Sequence, residues 1–259
     1  MKNLLLIAFA ALTLGPLYAQ QQNPLDQAIS TSVDKLLQEK KLAGAVTLVG
    51  RVDGIMHLQA HGVKSLESGD AMQTDTIFRI HSMTKAIVSA AALRLVDEGK
   101  LDLKAPVSQY LPRFKTATVL KGEEKVPAQE TMLVEHLLLH TSGLAYSFTT
   151  QPPLQDYYTK RKLWSKSMAN FSGQVSQLPL AHEPGTGWTY GISTDVLGAV
   201  VAVCAKKRLP EYLKETVFNP LKMKDTNFWI EDESNLDRFA SVHKSTPEGV
   251  TGGSDPLSQ

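Results

Sequence analysis

The segment from Met83 to Glu98 constrains this chain more than any other. It holds neither Gly nor Pro, is dense in Ala, Leu, Ile and Val, and is closed by Gly99, a residue suited to the left-handed position after a helix. The pattern predicts a helix, and most of it must be buried. The rest of the chain can supply that burial, since 259 residues, 42% hydrophobic and 20% charged, suffice for one large globular domain or two small ones. Lys and Arg number 27 against 26 Asp and Glu, with no long run of either sign, so nothing points to a polyanion such as nucleic acid as partner.

Around that helix the pattern alternates. Leu25 to Lys40 carries Ile29, Val33, Leu36 and Leu37 at amphipathic spacing and is predicted to pack on a sheet. Ala45 to Gly50 and Ile55 to Gly62 read as two antiparallel strands joined through Asp53-Gly54, a hairpin signal. Further helices are predicted at Thr131 to His140, Pro153 to Met168, Ser193 to Lys207 and Pro210 to Phe218, the last with Pro in its first turn. The fold class is therefore mixed α/β with an all-helical insertion, without internal repeat or low-complexity linker. Lys2, the apolar run Leu4 to Leu14, Gly15-Pro16 and Leu17-Tyr18-Ala19 before Gln20 form a secretory leader over residues 1–19, too short for a membrane span. A soluble periplasmic or secreted chain is expected from residue 20 onward. The single cysteine, Cys204, sits in the apolar run Val200 to Val203 and is read as a buried, inert thiol.

Ser-x-x-Lys occurs three times, at Ser32–Lys35, Ser82–Lys85 and Ser241–Lys244. Only Ser82 stands where an extended run, Thr76 to His81, meets the start of the buried helix. Three residues apart on a helix, Ser82 and Lys85 project from one face, with Cβ atoms about 5–6 Å apart. A serine hydroxyl needs a base, and a lysine serves as one when burial and nearby positive charge lower its pKa. The bland alternative makes Ser82 a helix cap and Lys85 a solvated charge. A second element lies in the turn-rich run Glu183 to Ser193, which sets Tyr190 just ahead of a helix capped by Ser193 or Thr194. Its phenol is a candidate relay for the serine proton, against the alternative of a half-buried Tyr bonded to backbone.

Phe78-Arg79-Ile80-His81-Ser82-Met83-Thr84-Lys85, Leu101 to Val107, His136 to Leu144, Glu183-Pro184-Gly185 with Tyr190, Asp195 to Gly198 and Phe218 to Thr226 resemble, in order, segments of class C β-lactamase-like serine hydrolases. That family includes β-lactamases, D-alanyl-D-alanine peptidases and family VIII carboxylesterases. The resemblance implies a β-lactamase/transpeptidase-like fold: an antiparallel sheet flanked by helices, with a helical subdomain at about 102–225 inside a domain spanning 20–259. It also implies an acyl-serine intermediate with Ser82 as nucleophile, Lys85 as its base partner and Tyr190 as relay. Neither metal nor organic cofactor is implied, and the partner is a small-molecule ester, β-lactam or peptide substrate. Two departures matter. Where lactamases and peptidases of this group usually show Tyr-x-Asn, the third position is Ile192, which favours an ester substrate. The family's late Lys-Thr-Gly or His-containing motif, which adds an oxyanion donor, is not present; Thr251-Gly252-Gly253 is read as a loop. A C-terminally incomplete chain lacking three strands is the expectation. A non-catalytic ligand binder that kept the fold is the rival from another class.

Other constellations are weaker. His136 and His140 have metal-ligand spacing, but no Glu lies between them as in H-E-x-x-H, and His140 is read as ending its helix. No G-x-S-x-G elbow occurs, and Gly185, Gly187 and Gly191 miss the dinucleotide spacing. Asp102 is read as a turn or helix cap. Trp164, Tyr157 and Tyr158 are read as helical-domain core, with an acyl pocket as the alternative.

Overall fold

The computed structural model describes residues 23–161, 163 and 168–253. The leader read at 1–19 and Trp164 lie outside them. Two compact units divide the described residues: 23–76 with 241–253, and 77–240.

In the first unit, helix α1 (Pro24–Gln38) starts as its sequence dictates. Asn23 accepts the Leu25 N–H through its side chain, Pro24 takes the first position, and Asp26 sits in the first turn. Strands β1 (Gly44–Arg51) and β2 (Gly54–Gly62) pair antiparallel, with Leu48 opposite Leu58 and a bulge at Val49/Gly50. The tight turn is Val52-Asp53, and Gly54, at φ 148°, opens β2 where a side chain would be strained. Because side chains alternate along a strand, the hairpin has two distinct faces. Thr47, His57 and Gln59 share the face toward α1, where Ser30 bonds Gln59 at 2.7 Å and Asp26 meets His57 at 2.5 Å. Leu48 and Leu58 occupy the other face and are exposed. A second hairpin, β5 (His243–Thr246) and β6 (Gly249–Gly252), joins this unit through Val250 N–H to Lys40 O at 2.8 Å. This corrects the reading of Thr251-Gly252 as loop: they are strand residues, paired with His243 and Lys244.

The second unit is built on α2 (Thr84–Asp97) and α7 (Ser193–Ala205). Val88, Ala91, Ala92 and Leu95 of α2 and Val196, Leu197, Val200 and Val201 of α7 are buried in one core cluster. Gly198 leaves room for Leu209 to pack against α7. A Cβ on Gly198 would lie 2.8 Å from Leu209 Cδ2 and 3.9 Å from Val88 Cγ1. Helix α2 ends as predicted at Gly99, φ 68°, with Lys100 N–H to Leu95 O and Gly99 N–H to Val96 O closing a Schellman motif. Only one face of α2 is buried, however: Leu93 and Met83, just before it, are exposed.

Short helices fill out the unit: α3 (Val107–Tyr110), α4 (Val134–Leu138), α5 (Leu154–Arg161), α6 (Met168–Val175) and α8 (Leu209–Leu213), which runs into a π turn at Lys214–Phe218. The region is not helical throughout. Strands β3 (Thr118–Lys121) and β4 (Glu124–Pro127) form a hairpin whose turn has Gly122 at φ 63°. Leu180 extends it through backbone bonds to Thr118 and Leu120. Only Val119 of this hairpin is fully buried, so its apolar alternation is too brief to stand out in sequence. The thiol of Cys204 is half-buried, which pushes its pKa up.

Candidate active site

Ser82 lies in a 3-10 turn, His81–Met83, immediately ahead of α2. The turn is entered through His81 at φ 41°, a left-handed conformation that costs free energy in a non-glycine residue and persists only where surrounding structure imposes it. One turn on from Ser82, at the second position of α2, Lys85 Nζ donates to Ser82 Oγ at 3.3 Å and to the Tyr146 hydroxyl at 3.1 Å. From 108 residues further along the chain, the Tyr190 hydroxyl donates to Ser82 Oγ at 2.8 Å. The structure thus brings together all three residues singled out in the sequence. It adds Tyr146 as a fourth.

Tyr190 arrives there because Gly191 lets two loops press together. A Cβ on Gly191 would fall 2.3 Å from Leu144 O and 2.5 Å from Ala145 Cα, closer than any side chain tolerates. The loop that carries Tyr146 is itself fixed. Ser142 Oγ accepts the Leu144 N–H at 3.1 Å and pairs with Ser193 Oγ at 2.9 Å, both serines fully buried. Tyr158, in the core as read, accepts the Ala145 N–H at 3.2 Å and donates to Pro179 O at 3.1 Å, and burial pushes its phenol far above the usual range. Ser193 is therefore a tie between loop and helix rather than a cap, and the residue at the N-cap of α7 is Ile192. Thr149 Oγ1 donates to the Tyr190 carbonyl at 2.8 Å. His140, at φ 56° after α4, accepts the Thr189 N–H on its carbonyl at 2.9 Å, and its ring lies 5.0 Å from that of Tyr190. His140 thus ends α4, as read, and also braces the loop that carries Tyr190. His136 is engaged separately, its Nδ1 accepting the Leu133 N–H at 3.2 Å. Asp102 accepts the Lys104 N–H at 2.8 Å, the turn expected of it.

The electrostatics differ from expectation. Burial pulls the Lys85 pKa down, but hydrogen bonds and charge interactions with the Tyr146 and Tyr190 phenols outweigh it, and the net direction is up. A neutral amine is thus disfavoured, because the oxygens around Lys85 accept its hydrogen bonds and belong to potential anions rather than cations. Tyr190 moves the other way. Its hydrogen bond with Ser82 lowers its pKa, opposed by burial and reinforced by Lys85. Burial raises Tyr146, with Asp195 adding to the rise and Lys85 opposing it. Asp195, in the first turn of α7, accepts a hydrogen bond from Tyr146; burial pushes its carboxyl up against the pull of the Lys85 charge. Burial and the Lys85 charge lower His140, so its ring is neutral at neutral pH.

Sequence reading gave no role to Tyr146, which lies in none of the resembling segments, and quoted Asp195 only as the start of the segment Asp195 to Gly198. Both are recognisable only by their contacts. Ile192 is wholly buried in the core, so it presents nothing to a cleft. Among the described residues no group of three or more His, Cys, Asp or Glu is placed to hold a metal ion.

The geometry has counterparts in known proteins. A family model described as Beta-lactamase matches residues 27–258. Esterase EstB of Burkholderia gladioli is 36% identical over 225 residues, covering 84% of this chain and 54% of EstB. An uncharacterized protein of Mycobacterium tuberculosis is 35% identical over 218 residues, covering 82% of this chain and 54% of its own length. The solved structure of EstCE1, described as a hydrolase with promiscuous acyltransferase activity, matches with a TM-score of 0.77 at 28% identity, covering 90% of this chain and 61% of EstCE1. The chain spans about half the length of the curated relatives it matches. Matched by the family model over residues 27–258, which include Ser82, Lys85 and Tyr190, and by EstB over 84% of this chain, the chain belongs to the beta-lactamase family.

Proposed function

We propose that this chain carries the acylation machinery of an esterase-type serine hydrolase that works through an acyl-Ser82 intermediate. The observation that carries the reading is the Tyr190 hydroxyl 2.8 Å from Ser82 Oγ, with Lys85 Nζ 3.3 Å from the same oxygen. Lys85, favoured as an ammonium, is a fixed positive charge that eases ionisation of Tyr190. The Tyr190 phenolate takes the proton from Ser82 as Oγ bonds the ester carbonyl carbon. The tetrahedral adduct then collapses, the bond to the alcohol oxygen breaks, and the alcohol departs with the proton that Tyr190 held. Water repeats the sequence on the acyl-serine and releases the acid. In this reading Lys85 assists as a cation rather than as the neutral base first expected.

The choice of ester over β-lactam or D-alanyl peptide is supported by Ile192, which is buried and apolar where those branches keep an amide. The identity to EstB supports it as well. Export is a further part of the proposal, supported by the leader-like residues 1–19. N-terminal sequencing of the exported chain tests it, with Gln20 the expected first residue.

Mass spectrometry after reaction with a fluorophosphonate probe tests the chemistry. A single adduct on Ser82 is expected, and an adduct elsewhere or none overturns the reading. A panel of p-nitrophenyl esters beside nitrocefin, run on wild type and Ser82→Ala, tests the substrate class. Rapid nitrocefin turnover with negligible ester cleavage rejects the esterase assignment.

A further inference from the structure

Four aromatic rings run outward from the nucleophile. Tyr146 stacks on Phe148 with centroids 4.8 Å apart and meets Tyr190 edge-on at 5.6 Å, and Tyr190 stacks on Trp188 at 6.4 Å. The two inner rings are the phenols bonded to Lys85 and Ser82. The two outer rings face water, Phe148 73% and Trp188 67% exposed. Single exposed apolar residues are unremarkable, but two large rings joined to a nucleophile by stacking form a continuous surface.

That surface is held in place. Phe148 lies in a 3-10 turn closed by Thr149, whose hydroxyl accepts the Tyr146 N–H at 3.0 Å and donates to the Tyr190 carbonyl at 2.8 Å. The loop bearing Trp188 is pinned by Gly185 N–H to Thr141 O at 2.8 Å and by Thr189 N–H to His140 O at 2.9 Å. The His182 ring lies beneath it so closely that a Cβ on Gly187 would sit 3.0 Å from Cδ2. Loops already fixed lose little backbone freedom when a ligand covers the rings they carry.

We infer that Trp188 and Phe148 form a subsite for the alcohol portion of the substrate, and that the substrates are esters of broad, apolar, cyclic or aromatic alcohols. The inference rests on the acyl-Ser82 reading. Tyr190 hands a proton to the departing alcohol, so that oxygen comes within hydrogen-bond reach of the Tyr190 hydroxyl. The carbon skeleton attached to it then extends along the ring stacked on Tyr190, which is Trp188. Phe148 continues the same apolar surface past Tyr146.

The test compares 2-naphthylmethyl acetate with ethyl acetate, following acid release in a pH-stat. Both esters give the same acetyl-Ser82, so a difference in kcat/KM between them reports the alcohol alone. Wild type is expected to favour the naphthylmethyl ester by about tenfold or more. Trp188→Ala brings that preference close to unity through KM, Trp188→Phe keeps most of it, and Phe148→Ala removes a smaller part. Circular dichroism confirms that each variant is folded. An unchanged preference in Trp188→Ala, or equal losses on both esters, overturns the subsite. A separate arm measures naphthylmethyl acetate binding to Ser82→Ala by calorimetry. If no ester is cleaved but this binding persists and Trp188→Ala weakens it about tenfold, the subsite stands and the chemistry falls. No binding to Ser82→Ala overturns the subsite whatever the kinetics show.

Discussion

The β1–β2 hairpin with α1 and the α2–α7 helical core handle polar and apolar surface in opposite ways. In the helical region apolar side chains are inside: Leu95, Leu197, Val200 and Leu213 are all wholly buried. In the hairpin region the fully buried side chain at the helix–strand contact is a histidine, His57 at 2% exposure, while Leu48 stands 59% exposed. His57 is held there by Asp26 at 2.5 Å and by Thr47 at 2.7 Å, and Thr47 also reaches His61 at 3.3 Å. One region is thus stabilised by area removed from water, the other by strand pairing and a chain of side-chain hydrogen bonds. Ser82, Lys85 and Tyr190 sit on the first kind of support, because a close-packed core resists displacement and a hydrogen-bonded sheet edge frays.

The largest effect expected is kinetic. Tyr190→Phe should slow acylation of Ser82 by about 10²–10⁴-fold with unchanged thermal unfolding, read by stopped-flow with an activated ester. In wild type the same step should rise with pH, its limb set below the ordinary tyrosine value of 10.0 because the Tyr190 pKa is lowered. It should decline only above 10.5, since Lys85 is shifted upward from that value. A decline beginning below that point breaks the assignment of Lys85 as cation. Next comes Leu197→Ala, which should cost about 2–5 kcal/mol in urea unfolding of the helical region. Asp26→Ala, which orphans a buried imidazole nitrogen, should lower the local opening free energy of residues 44–62 by about 1–3 kcal/mol in hydrogen exchange. A loss spread equally over the α7 amides would erase the contrast between the two regions.

Asp195→Asn should have a smaller effect with an informative sign. Burial raises the folded-state pKa of Asp195, so its stabilisation is complete only below the unfolded carboxyl value and is lost as pH rises through the folded one. The amide variant should therefore melt slightly higher than wild type at neutral pH, with the gain vanishing in acid. At the bottom of the scale, Leu48→Thr should change stability by no more than about 0.5 kcal/mol, measured by chemical denaturation. A loss several times larger would show that the exposed face of the hairpin is covered in solution.

Much of this was legible locally. The spacing of Ile29, Val33, Leu36 and Leu37 announces helix α1 and Gly99 a helix end. The periodicity of α7 is recoverable from Ser193 to Ala205, and the Ser82–Lys85 pairing follows from helical spacing alone. The β3–β4 and β5–β6 hairpins were missed because four-residue strands contain too little alternation to separate from loop. Which face of the β1–β2 hairpin α1 covers was not read from the sequence, for a different reason. Leu48 and Leu58 carry the apolar signal, yet α1 packs on the face with His57 and Gln59, where hydrogen-bond partners were available.

By itself the sequence determined the elements whose hydrogen bonds close within a few residues: helix α2 with its stop at Gly99, and a hydroxyl and an amine one turn apart. Tertiary structure alone decided that Tyr190 meets Ser82, since that contact depends on Gly191 lying against Leu144 and Ala145. It also decided that Tyr146 and Asp195 join the site and that the Lys85 pKa moves up rather than down. The physical reason is range. Backbone periodicity is a property of neighbours in the chain, whereas a proton's affinity is set by whatever dipoles, charges and solvent the folded chain brings within a few ångströms.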